Sequence, residues 1–85
     1  MRLPIIKHLV NFAEQNDIDF IHETIETLEN LIELESLKDE ELDVIGELLS
    51  NMSGAVAVHQ MIKDGKSKSE ALNAFMARVV GAIDK

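Results

Sequence analysis

Three histidines are the side chains of this sequence with the widest chemical use, because an imidazole can ligate a metal or titrate near neutral pH. His59 lies within an apolar helical pattern, among Met52, Val56 and Ile62. The pattern favours a core or interface histidine whose ring hydrogen-bonds to a backbone carbonyl or to Asn51 of another helix or copy. The functional alternatives are a metal ligand and a pH-sensitive group at an interface.

His22 raises the question of a carboxylate-bridged metal site. Bundles that bind two metal ions use inward-facing glutamates and a Glu-x-x-His motif on each of two helices. Here the related spacing, Asp19-x-x-His22, occurs once and falls on the polar face of its predicted helix. We interpret His22 as a solvated histidine with acidic neighbours, and His8 gives no functional signal. The metal hypothesis that remains is a small metal- or ligand-binding bundle that uses His59 with carboxylates from another helix or subunit.

Motifs for catalysis and cofactor binding are missing. The chain has no cysteine, which excludes disulfides, thiol catalysis and Cys-ligated metal sites. Its serines stand at predicted helix caps or among small helical residues, without the sharp turn that exposes a nucleophilic serine. Its four glycines are scattered and form no phosphate-binding loop. The sequence therefore predicts no enzyme, no catalytic residue and no cofactor.

Length and composition predict a single helical domain over residues 1–85. A chain of 85 residues has room for one core, and a hydrophobic content of 46% is ordinary for a folded domain. The sequence contains no apolar run of signal-peptide or transmembrane length, so we expect no membrane insertion. A small domain without disulfides is typical of a reducing compartment, which predicts a cytoplasmic location.

The net charge of −8 is concentrated in the first part of the chain. Residues 14–47 hold thirteen acids and one base, Lys38. Repulsion from a phosphate backbone argues against a nucleic-acid partner. The acidic stretch is either a solvated face that keeps the chain soluble or a docking face for a protein with a basic surface. In the second case Glu23, Glu26 and Glu33 would make the contact.

Capping residues and apolar spacing divide the chain into four helices, at about residues 3–14, 18–35, 38–63 and 68–83. Ser36 is predicted to cap the third helix, Gly65 to follow its end, and Ser67 with Glu70 to form the capping box of the fourth. Connections this short make consecutive helices antiparallel neighbours. The predicted fold is all-α: an up-and-down antiparallel bundle of four helices with a long central third helix.

Apolar residues line more than one face of the helices. The second and the third helix each carry a line of apolar residues, or seam, with alternating spacings of three and four residues. The seam of the second helix is Ile18, Ile21, Ile25, Leu28 and Ile32. The seam of the third helix is Leu42, Ile45, Leu49, Met52, Val56 and His59. Further apolar residues lie beside these seams, namely Phe20, Leu31, Leu34 and Val44, Leu48, Ala55, Val58, Met61, Ile62. Either a four-helix bundle buries all of this surface, or the chain forms a homodimer. The fourth helix, with Ala74, Ala77 and Gly81 on its back face, and His59 are candidate interface residues.

Two segments of the chain carry a resemblance to known proteins: residues 37–48, LKDEELDVIGEL, and residues 71–76, ALNAFM. Together they resemble a family of short, all-helical, acidic bacterial proteins of unknown function, and the likeness extends over nearly the whole chain. The resemblance implies no activity and no site residues. The leading hypothesis is therefore a non-enzymatic protein-interaction or assembly module.

Overall fold

The computed structural model describes the backbone of residues 2–83 and the side chains of residues 2–79. Its four α-helices are α1 (Leu3–Gln15), α2 (Asp19–Leu31), α3 (Asp39–Lys63) and α4 (Lys68–Ile83). No strand occurs within the described backbone. Helix α3 packs against each of the other three helices. The predictions of an all-α fold and of a long central third helix are confirmed.

The ends of α3 and α4 follow from local hydrogen bonding. Gly65 has a φ of 113°, a left-handed conformation that favours glycine, and it ends α3 as predicted. The predicted capping box of α4 is present: the Ser67 N–H donates to Glu70 Oε1 and the Glu70 N–H donates to Ser67 Oγ, each at 3.1 Å. The Ser67 backbone N–H, together with its hydroxyl, holds the pKa of the Glu70 carboxyl below its usual range.

The end of α2 and the start of α3 differ from the prediction. Helix α2 ends at Leu31 rather than near residue 35, and the chain continues through turns in which Leu34 N–H donates to the Leu31 carbonyl. Ser36 is not the cap of α3. That position is taken by Lys38, whose N–H donates to Glu41 Oε1 at 3.0 Å. The predicted end of α2 was wrong because it relied on apolar spacing. That spacing continues past Leu31 to Ile32 and Leu34, although both side chains are exposed.

The core lies between α1, the start of α2, the second half of α3 and the first half of α4. Its buried apolar side chains are Ile6, Val10, Ala13, Ile21, Ala55, Val58, Ala71, Leu72 and Phe75. At its centre is Gly54, where an added Cβ would lie 3.0 Å from Ile6 Cδ1 and 3.0 Å from Phe75 Cζ. The missing side chain therefore lets α1 and α4 approach the backbone of α3 at one point.

The burial of α3 also differs from the prediction in its phase. Among the residues of its predicted seam, only Ile45 is buried, whereas Leu49, Met52, Val56 and His59 are half-buried and Leu42 is exposed. The fully buried positions belong to the neighbouring face, at Asn51, Gly54, Ala55 and Val58. Small residues on that face admit α1 and α4 together. For this reason it is covered more completely than the predicted seam.

Asn51 is the fully buried polar side chain of the described core. Its Oδ1 accepts a hydrogen bond from the Arg2 N–H at 2.8 Å, and its Nδ2 donates to the Glu47 carbonyl at 2.8 Å. The first bond anchors the start of α1 on α3. Because both polar atoms of the amide are paired, Asn51 can be buried without a large desolvation cost.

A second polar contact joins α4 to α1 at the surface. Lys68 Nζ lies 2.7 Å from Glu14 Oε1 and donates to Asn11 Oδ1 at 2.7 Å. Both charged side chains are partly exposed, so the ion pair contributes at most about 1 kcal/mol to stability. The docking of α4 therefore depends mainly on the apolar contacts around Phe75.

We predict that Gly54→Ala lowers stability relative to the matched variant Gly46→Ala. An added Cβ at Gly46, in the same helix, meets no atom within 4 Å. Gly46→Ala should raise the free energy of unfolding by about 0.5–1 kcal/mol through helix propensity. Gly54→Ala has the same favourable effect of helix propensity on the free energy of unfolding, but the added methyl group overpacks the core at a cost of about 1–3 kcal/mol. Urea denaturation of the two variants measures the difference, and equal stabilities would contradict the close approach.

We also predict that Asn51→Ala destabilises the chain by about 1–3 kcal/mol, because it removes the partner of two part-buried backbone groups, the Arg2 N–H and the Glu47 carbonyl. The control is Asn73→Ala, an exposed position of α4, where the expected change is at most about 0.5 kcal/mol. Thermal and urea denaturation compare the two variants. A wild-type stability for Asn51→Ala would show that this hydrogen bond does not hold α1.

Candidate interaction surface

The acidic residues proposed for partner docking are exposed. Glu23 and Glu26 lie on the solvent side of α2, and neither forms an ion pair with a described residue. Glu33 lies two residues beyond the end of α2, where its Oε2 accepts a hydrogen bond from Asn30 Nδ2 at 3.3 Å. The predicted helical ridge is therefore shorter than expected, because Glu33 belongs to the turn that follows it.

The histidines do not come together. His8 and His22 are exposed, and His59 is half-buried without a hydrogen bond to a described residue. Within the described part of the chain, no three His, Asp or Glu side chains are close enough to hold a metal ion. Nothing in this arrangement favours the metal-binding hypothesis. Its version with carboxylates from a second subunit stays a prediction.

The residues predicted to form an interface on α4 differ in their exposure. Ala74 is half-buried and Ala77 is exposed. Gly81 belongs to the last turn of α4, but its surroundings fall outside the residues whose side chains are described. The prediction that this face forms an interface remains untested.

An uncovered apolar groove lies where the end of α2 meets the start of α3. It has a volume of about 440 Å³ and is lined by Leu31, Leu37, Glu40, Glu41, Val44 and Ile45. Val44 is 60% exposed, and the adjacent Leu34 is 53% exposed. Leu48, one turn after Val44, is exposed as well. Contiguous large apolar side chains of this kind mark interaction sites more often than ordinary solvent-facing surface.

A second apolar patch lies where α1 and α2 adjoin. Phe12 and Phe20 are both exposed and contact each other edge to face, with ring centroids 5.9 Å apart. The neighbouring Thr24 hydroxyl donates to the Phe20 carbonyl at 2.7 Å, so it has no need of an external partner. Beside these rings is a cleft of about 320 Å³ that is lined by His8, Leu9, Phe12, Phe20, Ile21, Thr24 and Met52.

The shape of the molecule accounts for this exposure. Its extents are 43 × 35 × 18 Å, so its thin dimension holds about two layers of helices. The radius of gyration is 13.8 Å, whereas a compact domain of this length has about 12 Å. The accessible surface of 5840 Å² is about 800 Å² larger than expected for a compact monomer of this mass. A flat arrangement around α3 therefore leaves apolar side chains uncovered.

Several apolar residues in the groove or beside it did not enter the predicted interface. Leu31, Leu34, Val44 and Leu48 were recognised as apolar positions beside the seams, yet the predicted interface used acidic residues, His59 and α4 instead. The signal was the spacing of the second apolar line of α3, which is Val44, Leu48, Asn51, Ala55, Val58, Ile62. Periodicity identifies such a line, but only the packing of α1 and α4 shows which of its members are left exposed.

None of the described helices is both long and apolar enough to cross a bilayer. The model of a family of unknown function, DUF6952, matches residues 1–84. This match confirms the resemblance to a family without an assigned function, while a bacterial source stays a prediction. No curated protein and no solved structure matches the chain.

Proposed function

We propose that this chain, which belongs to the DUF6952 family of unknown function, is a non-enzymatic assembly module. In this proposal the chain forms homodimers and is located in the cytoplasm. The observation that carries this proposal is the uncovered apolar surface around Leu34 and Val44. In an isolated chain these side chains are exposed to water, and burying apolar surface contributes about 25 cal/mol per Å². Association with a second chain removes that exposure.

Large apolar side chains that are exposed at the end of α2 and the start of α3 support an association between chains. Leu34 is 53% exposed and Val44 is 60% exposed, and exposed apolar surface of this kind marks interaction sites. The proposal also includes the up-and-down antiparallel course of the four helices, which the short connection between α3 and α4 supports. The absence of cysteine supports a reducing location.

The first prediction from this proposal concerns mass and salt. Sedimentation velocity from low micromolar to several hundred micromolar protein should show a shift from one chain to two. Because each chain carries a net charge of −8, sodium chloride should strengthen the association by screening the repulsion between copies. The mass of a single chain at every concentration and every salt level would refute the proposed function.

A second role is proposed for the acidic residues of α2. Glu23 and Glu26 are exposed, and neither forms an ion pair with a described residue. They do not line the groove, so a partner with a basic surface can contact them. Electrostatic complementarity of this type mainly accelerates association and sets specificity. Its salt dependence is opposite to that of self-association, because screening weakens an attraction between unlike charges.

The prediction for this role uses a short oligolysine peptide as the probe. Glu26→Lys with Glu33→Lys should weaken binding about tenfold, since each exposed ion pair contributes about 0.2–1 kcal/mol. Asp43→Lys with Asp64→Lys makes the same change of net charge, within α3 and at the residue that follows it, and serves as the matched control. Titration followed by NMR chemical shifts compares the variants. Equal loss in both double variants would mean that the peptide senses net charge alone.

A further inference from the structure

Two consecutive parts of one apolar line on α3 differ in their cover. The line runs at 4-3-4-3-4 spacing through Val44, Leu48, Asn51, Ala55, Val58 and Ile62. From Asn51 onward it is buried or half-buried, whereas Val44 and Leu48 are exposed. The change occurs where the Arg2 N–H bonds to Asn51 Oδ1, at the start of α1. The first part of the line therefore has an apolar face of the right spacing for a helix, but no side chain among residues 2–79 covers it fully.

The same surface combines a concave and a convex feature. The groove of about 440 Å³ is lined by Leu31, Leu37, Glu40, Glu41, Val44 and Ile45. The 53% exposed Leu34 lies three residues beyond Leu31, in the turns that connect α2 with α3. An exposed leucine beside an apolar groove suits a two-fold interface, because each copy then supplies both members of the contact.

We propose that this groove is the homodimer interface and that Leu34 of each copy packs into the groove of the other. The inference rests on the proposed self-association and specifies the surface that performs it. A two-fold axis near the turns after α2 places each Leu34 opposite the partner's groove. The contact then continues the apolar line of α3 over Val44 and Leu48, where cover from the same chain ends.

The charges around the groove fit a second copy. Glu40 and Glu41 line it, and Lys38 is the one base among the thirteen acids of residues 14–47. Lys38 is exposed and lies in the same connection as Leu34. Across a two-fold axis, Lys38 of one copy faces the acidic edge of the other. These rim pairs orient the contact, and the buried leucine and valine side chains supply most of its affinity.

The experiment compares two variants that add the same charge to an exposed apolar position. Val44→Glu changes a groove residue that is 60% exposed, and Phe20→Glu changes a residue of α2 that is 56% exposed. Circular dichroism confirms that both fold, and sedimentation equilibrium gives their dimer dissociation constants. We expect Val44→Glu to weaken the dimer by about tenfold or more, as replacing a central interface residue does. Phe20→Glu should change the dissociation constant far less.

Chemical cross-linking supplies a second measurement, since the chain has no cysteine of its own. Leu34→Cys and Val44→Cys chains of different tag length are mixed and treated with a short bismaleimide. Mixed dimers should form severalfold faster than in the control mixture of Leu34→Cys with Ser69→Cys, an exposed position of α4. Equal rates in the two mixtures would overturn the assignment of the groove.

The outcomes of these experiments distinguish a failure of the proposed self-association from a failure of the proposed interface. If the wild-type chain stays monomeric, both the proposed function and this inference fail. If the wild type dimerises, Val44→Glu retains its affinity and Phe20→Glu loses it, then self-association stands and the interface lies on the Phe12 and Phe20 patch instead. Loss in Val44→Glu together with preferential Leu34-to-Val44 cross-linking supports the interface proposed.

Discussion

The close approach of α1 and α4 to the backbone of α3 at Gly54 is the contact on which the rest of the structure depends. Ile6 and Phe75 each come within 3.0 Å of the place that a Cβ would occupy. Because both helices meet α3 in its second half, Ile6 and Val10 of α1 and Leu72 and Phe75 of α4 are buried there. Among the residues whose side chains are described, α2 is the main neighbour of the first half of α3, where Val44 and Leu48 are exposed.

Asn51 lies at the boundary between these two halves. Its amide oxygen accepts the Arg2 N–H, which sets where α1 begins along α3. A buried amide with both polar atoms paired favours one alignment, because any shift would leave a donor or an acceptor without a partner. Cover by α1 therefore starts at Asn51. Val44 and Leu48, on the preceding turns, are exposed because α1 begins too late to reach them.

The thin shape of the chain and its charge distribution are consistent with each other. Acidic side chains occupy the solvent side of α2 and keep their hydration, whereas the apolar groove lies between the end of α2 and the start of α3. The chain, with an accessible surface of 5840 Å², exposes more surface than a compact domain of its mass. A second copy would provide the missing cover and leave the acidic residues free.

Sequence alone predicted the features that depend on residues a few positions apart. The capping box of Ser67 and Glu70, the glycine end at Gly65, the four helices and the unbroken length of α3 all follow from local hydrogen bonds and from spacing. These bonds form between groups within four or five residues of each other, so a one-dimensional pattern contains the information they need.

The tertiary structure determined which of the two apolar lines of α3 is buried, where α2 ends and which surface stays open. Both lines have helical spacing, so periodicity could not distinguish the one with Ala55 and Val58 from the one with Met52 and Val56. The first is buried because Gly54 and Ala55 leave room for two helices at once. Leu34 likewise fits the helical pattern, yet it is 53% exposed and lies in the turns after α2. Burial depends on how far the other helices reach, and that distance is set by their packing rather than by the spacing of any one segment.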